Sequence, residues 1–128
     1  MRSGADPDAV HRRAAIMTTP ATTMISVDAP LATLINVFTV APDRQGELVE
    51  LLTRATEEVI RHRPGFVAAN IHASLDGERV VNYAQWRTTE DFHAMLEHPA
   101  AQEHLREAAR IAEGFDPQLH TVVSVHHC

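Results

Sequence analysis

The sequence has no lysine, a single cysteine and only five glycines, and each shortage excludes a class of protein. Without lysine, Schiff-base mechanisms are excluded. The single thiol, Cys128, cannot form an internal disulfide, which favours a cytoplasmic protein. The glycines stand singly and form no phosphate-binding loop, so we expect no nucleotide cofactor.

Long apolar runs and basic clusters are scarce as well. No run approaches the ~20 apolar residues that a membrane span requires, so we expect no membrane partner. The chain has 11 basic side chains, all arginine, and 17 acidic ones. The resulting net charge of -6 argues against a nucleic-acid partner. What is present, 128 residues of which 45% are hydrophobic, is enough for one globular domain.

The first 30 residues differ in composition from the rest of the chain. They combine prolines and small polar residues without a sustained period, which predicts a flexible leader over residues 1–30. Within it, Met17 and Met24 are alternative start positions. The remainder, residues 31–128, is predicted to be a single domain.

From residue 31 onward, the hydrophobic pattern predicts the order β-α-β-β-α-β, with the second helix in two pieces. Apolar residues at three- and four-residue steps predict helices that begin at Asp43, Thr88 and Pro99. The predicted strands cover residues 34–40, 66–75, 79–87 and 119–125. This order is typical of the ferredoxin-like split βαβ fold, an α+β class with helices on one face of an antiparallel sheet.

Asp76-Gly77 predicts a two-residue turn, which fixes the faces of the hairpin. Val67 then opposes Trp86, and the face that they share is apolar except for Asn82, so we expect it to carry the helices. A buried amide without a partner costs about 1–3 kcal/mol. Asn82 therefore either bonds a helix end or backbone group, or points into a cavity, and a tryptophan in line with it favours the cavity.

The opposite face of the hairpin carries Phe66, Val81 and Tyr83. Helices on the first face cannot cover these side chains, so a second copy of the sheet would protect them from water. We therefore predict a homodimer. The alternative is a partly wet open face, which antiparallel sheets tolerate.

The segment Pro64–Gly77 and the run Val80-Val-Asn-Tyr-Ala-Gln-Trp86 resemble the antibiotic biosynthesis monooxygenase family. The resemblance covers residues 33–125 and is greatest to small actinobacterial members that oxidise anthrones to quinones in aromatic polyketide pathways. It implies a dimeric ferredoxin-like α/β-barrel with a cavity between sheet and helices. It also implies oxygenation of a small aromatic substrate by O2 without flavin, haem or metal.

Carried over residue by residue, the resemblance implies catalytic roles for Asn82, Trp86 and Arg106. A pocket tyrosine of the anthrone enzymes aligns with Phe92, which cannot transfer a proton. A base would then be His72 or His104, or the acidic substrate ionises by itself. The residues expected to contact the substrate are Asn36, Phe38, Phe92, Met95, His72 and His104.

Two other functions remain open. Haem-degrading relatives of the same fold use a strand asparagine, which Asn36 resembles, and a histidine ligand near the position of His104, whereas Met95 occupies the place of their tryptophan. The second alternative is a non-catalytic dimeric module that binds an aromatic ligand. A metal site is not expected, since the nine histidines show no customary ligand spacing.

Overall fold

A computed structural model describes residues 21–128, in which helices cover one face of a four-stranded antiparallel sheet. The strands lie in the order β2-β3-β1-β4, which confirms the predicted ferredoxin-like α+β fold. The strands are β1 (Ala32–Thr39), β2 (Phe66–Ala73), β3 (Arg79–Trp86) and β4 (Gly114–His120), and the helices are α1 (Gln45–Glu58), α2 (Thr89–Leu96) and α3 (Pro99–Ile111). The greater part of the predicted leader, residues 1–20, lies outside the described residues.

The helix termini follow the sequence signals at α2 and α3 but not at α1. Thr88 caps α2, because its hydroxyl accepts the Asp91 N–H at 3.0 Å. Pro99 occupies the first turn of α3, where its missing N–H costs nothing. At α1 a 3₁₀ turn over Pro42–Arg44 comes first, and no side chain, including that of Asp43, caps either element.

The hairpin keeps the predicted register along most of its length and loses it at one end. Ile71 opposes Asn82 as expected, but a bulge between Phe66 and Ala68 brings Phe66 rather than Val67 opposite Trp86. The expectation that Phe66 belongs to the second face was therefore wrong. A bulge inserts one residue into the strand and reverses the faces beyond it, which pairing by count cannot foresee.

The last strand was also misplaced, since β4 covers Gly114–His120 and not residues 119–125. Glycine and proline are both unfavourable inside a strand, and β4 contains Gly114 and Pro117. Proline is tolerated in β4 because this is an edge strand, where a missing N–H need not interrupt the sheet. The neighbouring N–H, that of Asp116, donates to Asn36 Oδ1 at 3.1 Å.

The interior consists of two apolar clusters between the sheet and the helices. The first joins β1 and β3 to α1 and α3 through Phe38, Val40, Leu48, Leu51, Leu52, Val80, Ala108 and Ile111. The second joins the same strands to α2 and α3 through Leu34, Ala84, Trp86, Phe92, Met95 and Ala101. No helix in the described range has the length and apolar character needed to cross a membrane.

Residues just before β1 contact the second face of the sheet, the face without helices. The Gln85 amide donates to the Met24 carbonyl at 2.9 Å, and the Thr23 hydroxyl donates to Asn70 Oδ1 at 2.6 Å. Gln85 and Thr33 are the buried polar residues of the described chain. The end of the predicted leader is thus hydrogen-bonded to the sheet in this region.

Candidate active site

A cavity of about 340 Å³ lies where the two apolar clusters meet. Its walls come from all four strands and all three helices, and they are apolar except for Asn36, Asn82, Thr56 and the indole of Trp86. The Thr56 hydroxyl donates to the Leu52 carbonyl of its own helix at 2.8 Å. Six of the residues that the sequence assigned to the site line this cavity together: Asn36, Phe38, Asn82, Trp86, Phe92 and Met95.

The two asparagines form a polar pair on the sheet floor of the cavity. Asn36 on β1 lies directly opposite Asn82 on β3, so their side chains share the helix-facing side. Asn36 Oδ1 is occupied by the Asp116 N–H. Asn82 Oδ1 is buried and has no hydrogen-bond partner among the described residues. A buried polar atom left unpaired in an apolar wall is the arrangement expected of a group that binds a ligand.

Trp86 ends β3 and forms the inner wall of the cavity, with only 1% of its surface exposed. Phe66 meets it edge-on at a centroid distance of 5.6 Å and an interplanar angle of 89°. Phe92 lies on another side at 6.2 Å and 60°. Edge-to-face contacts of this kind hold the indole in a fixed orientation. The indole is therefore held as a rigid, apolar part of the cavity wall.

No residue that lines the cavity in the described structure carries a titratable side chain. The cavity thus offers hydrogen bonds from amides and from the indole, but no general base and no charge. In an apolar site, fixed dipoles of this kind stabilise developing charge more strongly than they do in water.

Three of the predicted site residues lie elsewhere. The Arg106 side chain is 61% exposed on α3 and bonds Glu103 at 3.0 Å, which corrects the expectation that it adds charge to the cavity. His72 is exposed on the second face, where its Nδ1 lies 3.1 Å from the Asn70 carbonyl oxygen. His104 does not line the cavity, although its Nδ1 is buried and unpartnered in the described structure. Neither histidine is placed to act as base, and His104 is not placed to ligate a haem in this cavity.

Sequence reasoning missed Phe66 and Phe115, which also line the cavity. A signal for Phe66 was present in Pro64-Gly65, because Gly65 adopts φ +84° just before the bulge. Phe115 lies before residues 119–125, the predicted last strand, and was therefore not considered as a strand residue. Which face of an edge strand turns inward depends on packing that a local pattern does not record.

The fold is a split βαβ domain with an apolar cavity between sheet and helices and paired amides on the cavity floor. It defines a class of small α+β domains whose cavity suits an apolar ligand. Residues 32–107 match the family described as Antibiotic biosynthesis monooxygenase. The chain belongs to this family, as its sequence resemblance predicted, and it is a monooxygenase.

Individual relatives support the same assignment. Tetracenomycin-F1 monooxygenase of Streptomyces glaucescens is 56% identical over 80 residues, covering 62% of this chain and 71% of the relative. SnoaB, a cofactor-independent oxygenase from Streptomyces nogalater, is 27% identical to this chain. The structural match covers 76% of this chain and 97% of the SnoaB chain, with a TM-score of 0.63. An anthrone oxidase-like protein has the same fold, with a TM-score of 0.70 and 23% identity. The match covers 76% of this chain and 41% of the chain of that protein.

Proposed function

We propose that this enzyme oxidises an aromatic polyketide-type substrate, an anthrone or related quinol, to a quinone with O2 and without a cofactor. The observation that carries the proposal is the Asn82 amide on the floor of an apolar, uncharged cavity: its buried Oδ1 has no partner among the described residues and can accept a phenolic hydroxyl of the substrate, while its NH2 group can donate to the substrate oxygen. The names of the relatives support it, since one acts on tetracenomycin F1 and another is a cofactor-independent oxygenase.

For an anthrone, the proposed reaction replaces a ring CH2 group by a carbonyl. The substrate loses a proton to give an enolate, which passes one electron to O2. Superoxide and the substrate radical then combine to form a C–O bond, and the resulting hydroperoxide loses water across its O–O bond. One oxygen atom remains as the quinone carbonyl, and the other leaves as water with both CH2 hydrogens. The protein has to bind flat rings, exclude water and stabilise the enolate oxygen.

Asn82 and Trp86 are the donors that we assign to the enolate oxygen. Both residues line the cavity and carry an N–H donor, and neither side chain has a charge that would have to be desolvated. Asn36 has its carbonyl oxygen engaged by Asp116 N–H, which leaves its NH2 group as the part that can meet the substrate. We assign Asn36 to positioning the substrate beside Asn82.

The proton leaves without help from a base on the cavity wall. Because no described lining residue titrates, the acidity of the substrate itself determines how much enolate forms. The rate should therefore rise with pH through the pKa of whichever substrate is used, rather than through a pKa of the protein. Comparing pH–rate profiles for two anthrones of different acidity tests this, and identical profiles would contradict it.

We also propose that the enzyme is a cytoplasmic homodimer joined through the second face of the sheet. Ile35, Val37, Val81 and Tyr83 alternate on this face and are half-buried in one chain, so a second sheet would cover them. Light scattering should give twice the chain mass, and Val81→Glu should reduce it. A monomeric wild type would reject the dimer.

The test of the activity is oxygen uptake, together with quinone absorbance, when the metal-free protein meets a tricyclic anthrone in air. We expect Asn82→Ala to lower the rate about a hundredfold, the usual effect of losing one oxyanion donor. The matched control is Asn70→Ala, because this asparagine lies on the neighbouring strand and its amide donates to the Tyr83 carbonyl, outside the cavity. Wild-type turnover no faster than autoxidation, or equal losses in both variants, would reject the proposal.

A further inference from the structure

Phe115 is unusual among the aromatic side chains of the cavity because it remains 54% exposed while lining an apolar site. It stands near the start of the edge strand β4, opposite Phe38 on β1. Phe38 is buried and contacts it at a centroid distance of 6.2 Å with the rings tilted by 40°. The Phe115 ring is thus held on the cavity side and uncovered elsewhere.

The cavity has a closed inner end and an open rim. Trp86, at the inner end, is 1% exposed. The exposed residues of the lining lie at the end of α2, on α3 and on β4, and they are Leu96, Ala109, Phe115 and Pro117. A substrate that enters between these residues reaches the amide pair with its leading edge and leaves its trailing edge at the rim.

Asn82 and Phe115 are too far apart for a single ring to touch both. The strands that carry them are separated by β1, and the register offsets them by two residues. Two strand spacings and a two-residue step separate their Cα atoms by about 12 Å. A ligand of one or two rings that is bound at Asn82 therefore ends over β1, whereas three or more fused rings extend to β4.

We propose that Phe115 is a specificity-determining residue, which stacks on the distal rings of a substrate whose oxygen is bound at Asn82 and thereby selects polycyclic substrates of three or more fused rings. The inference rests on the proposed function. Its physical basis is that an exposed aromatic ring and an exposed planar substrate both lose water-facing apolar area when they stack.

The proposed dimer does not account for the exposure of Phe115. Its partner Phe38 belongs to the helix-facing side of the sheet, together with Asn36 and Leu34, whereas the dimer uses the opposite side. The position of the Phe115 ring therefore fits contact with a substrate bound in the cavity.

The experiment compares substrates of increasing ring number. Phe115→Ala should raise KM for a tricyclic anthrone and for a tetracyclic analogue about five- to tenfold, and leave KM for 1-naphthol, whose keto tautomer has the same reacting CH2 group on two rings, within twofold. Because the reacting end of the substrate is held elsewhere, kcat at saturation should change little. Phe115→Trp should restore the low KM, whereas Phe115→Leu should not.

Leu119→Ala is the matched control, because Leu119 is an exposed apolar residue on the same face of β4 that does not line the cavity. An equal rise in KM for every ring number, or the same rise in the control, overturns the proposal. So does a change in oligomeric state by light scattering in Phe115→Ala, which would assign the ring to a chain contact.

Failure of the proposed function is distinguished by a binding measurement. If the wild type consumes no oxygen with any substrate, quenching of the single tryptophan by anthraquinone and by naphthoquinone still reports occupancy of the cavity. If Phe115→Ala weakens the binding of anthraquinone but not that of naphthoquinone, the specificity role is supported. Unchanged binding of both quinones overturns it.

Discussion

Asn82 and Gln85 are amides three residues apart on the same strand, but they lie on opposite faces of the sheet and differ in their hydrogen-bond partners. Asn82 faces the helices, and its carbonyl oxygen is buried without a partner in the described structure. Gln85 faces the other way and is 4% exposed, and its NH2 group donates to the Met24 carbonyl at 2.9 Å and to the Tyr83 hydroxyl at 3.0 Å.

The difference separates a functional face of the sheet from a structural one. A buried carbonyl oxygen that lacks a donor costs about 1–3 kcal/mol. In the proposed complex a substrate hydroxyl would donate to Asn82 Oδ1, while the NH2 group of the same side chain binds the enolate oxygen. A buried amide with its bonds made fixes neighbouring segments, as Gln85 does for the residues before β1. Replacing Asn82 by an apolar side chain should therefore lower activity and raise stability. Replacing Gln85 should lower stability and leave activity unchanged.

The largest effect is expected from Asn82→Leu. Activity should fall about a hundredfold or more, because an oxyanion donor is lost, while the free energy of unfolding should rise by about 1 kcal/mol, because an unpaired polar group is removed. Oxygen uptake and urea denaturation measure the two quantities on one sample. If stability fell together with activity, Asn82 would be a structural residue like Gln85.

The next effect concerns Gly65, which precedes the bulge that turns Phe66 to the functional face. Its φ is +84°, and a methyl group there would overlap the Asp91 side chain at the start of α2. Gly65→Ala should therefore lower the free energy of unfolding by about 2–3 kcal/mol, measured by urea denaturation.

Gly46→Ala serves as its control, because a methyl at this helical position meets nothing within 4 Å. Here the stability should rise by about 0.5–1 kcal/mol, since alanine favours the helix. Equal effects at the two glycines would show that Gly65 does not constrain the approach of β2 to α2.

Gln85→Leu should give the reverse of Asn82→Leu. We expect a loss of about 1–2 kcal/mol in stability, because the Met24 carbonyl and the Tyr83 hydroxyl lose their donor, with kcat/KM unchanged. Faster hydrogen exchange in the residues before β1 would locate the loss. A drop in activity as large as that of Asn82→Leu would remove the distinction between the two faces.

The smallest effect is expected at the hairpin turn. A hydrogen bond from the Ser74 hydroxyl, and a second from the Glu78 N–H, hold the pKa of Asp76 below its ordinary value. A lowered folded-state pKa stabilises the protein at pH values above the unfolded-state pKa, and this contribution is lost as the pH falls through the lowered value.

Asp76→Asn should accordingly be slightly less stable than the wild type at neutral pH, and the gap should close in acid. Urea midpoints measured from pH 7 down to about pH 3 test the sign. Glu78→Gln, a neighbouring exposed carboxylate, provides the comparison. A gap that widens on acidification would contradict the assignment.

Features fixed by neighbours in sequence could be predicted, and features fixed by distant packing could not. The Thr88 cap, the start of α3 at Pro99 and the pairing of Ile71 with Asn82 depend on short-range signals, and the structure has each of them as predicted. The bulge at Phe66 and the position of β4 depend on the partner strands, so they were misjudged.

The candidate site shows the same division. Asn82 and Trp86 follow from strand alternation on a face that had to be buried, and both line the cavity. Arg106 was assigned to the site only by the family resemblance, and in the structure its side chain is exposed on α3, where it bonds Glu103.

The sequence by itself determined the order of elements, the helix-facing side of β3 and the uncharged character of that side, because periodicity and residue type act locally. Only the tertiary structure decided that a bulge adds Phe66 to the wall, that the edge strand adds Phe115 to the rim, and that no histidine of the described chain lines the cavity. These outcomes depend on how sheet and helices pack together, and the free energy of that packing is shared among residues far apart in the chain.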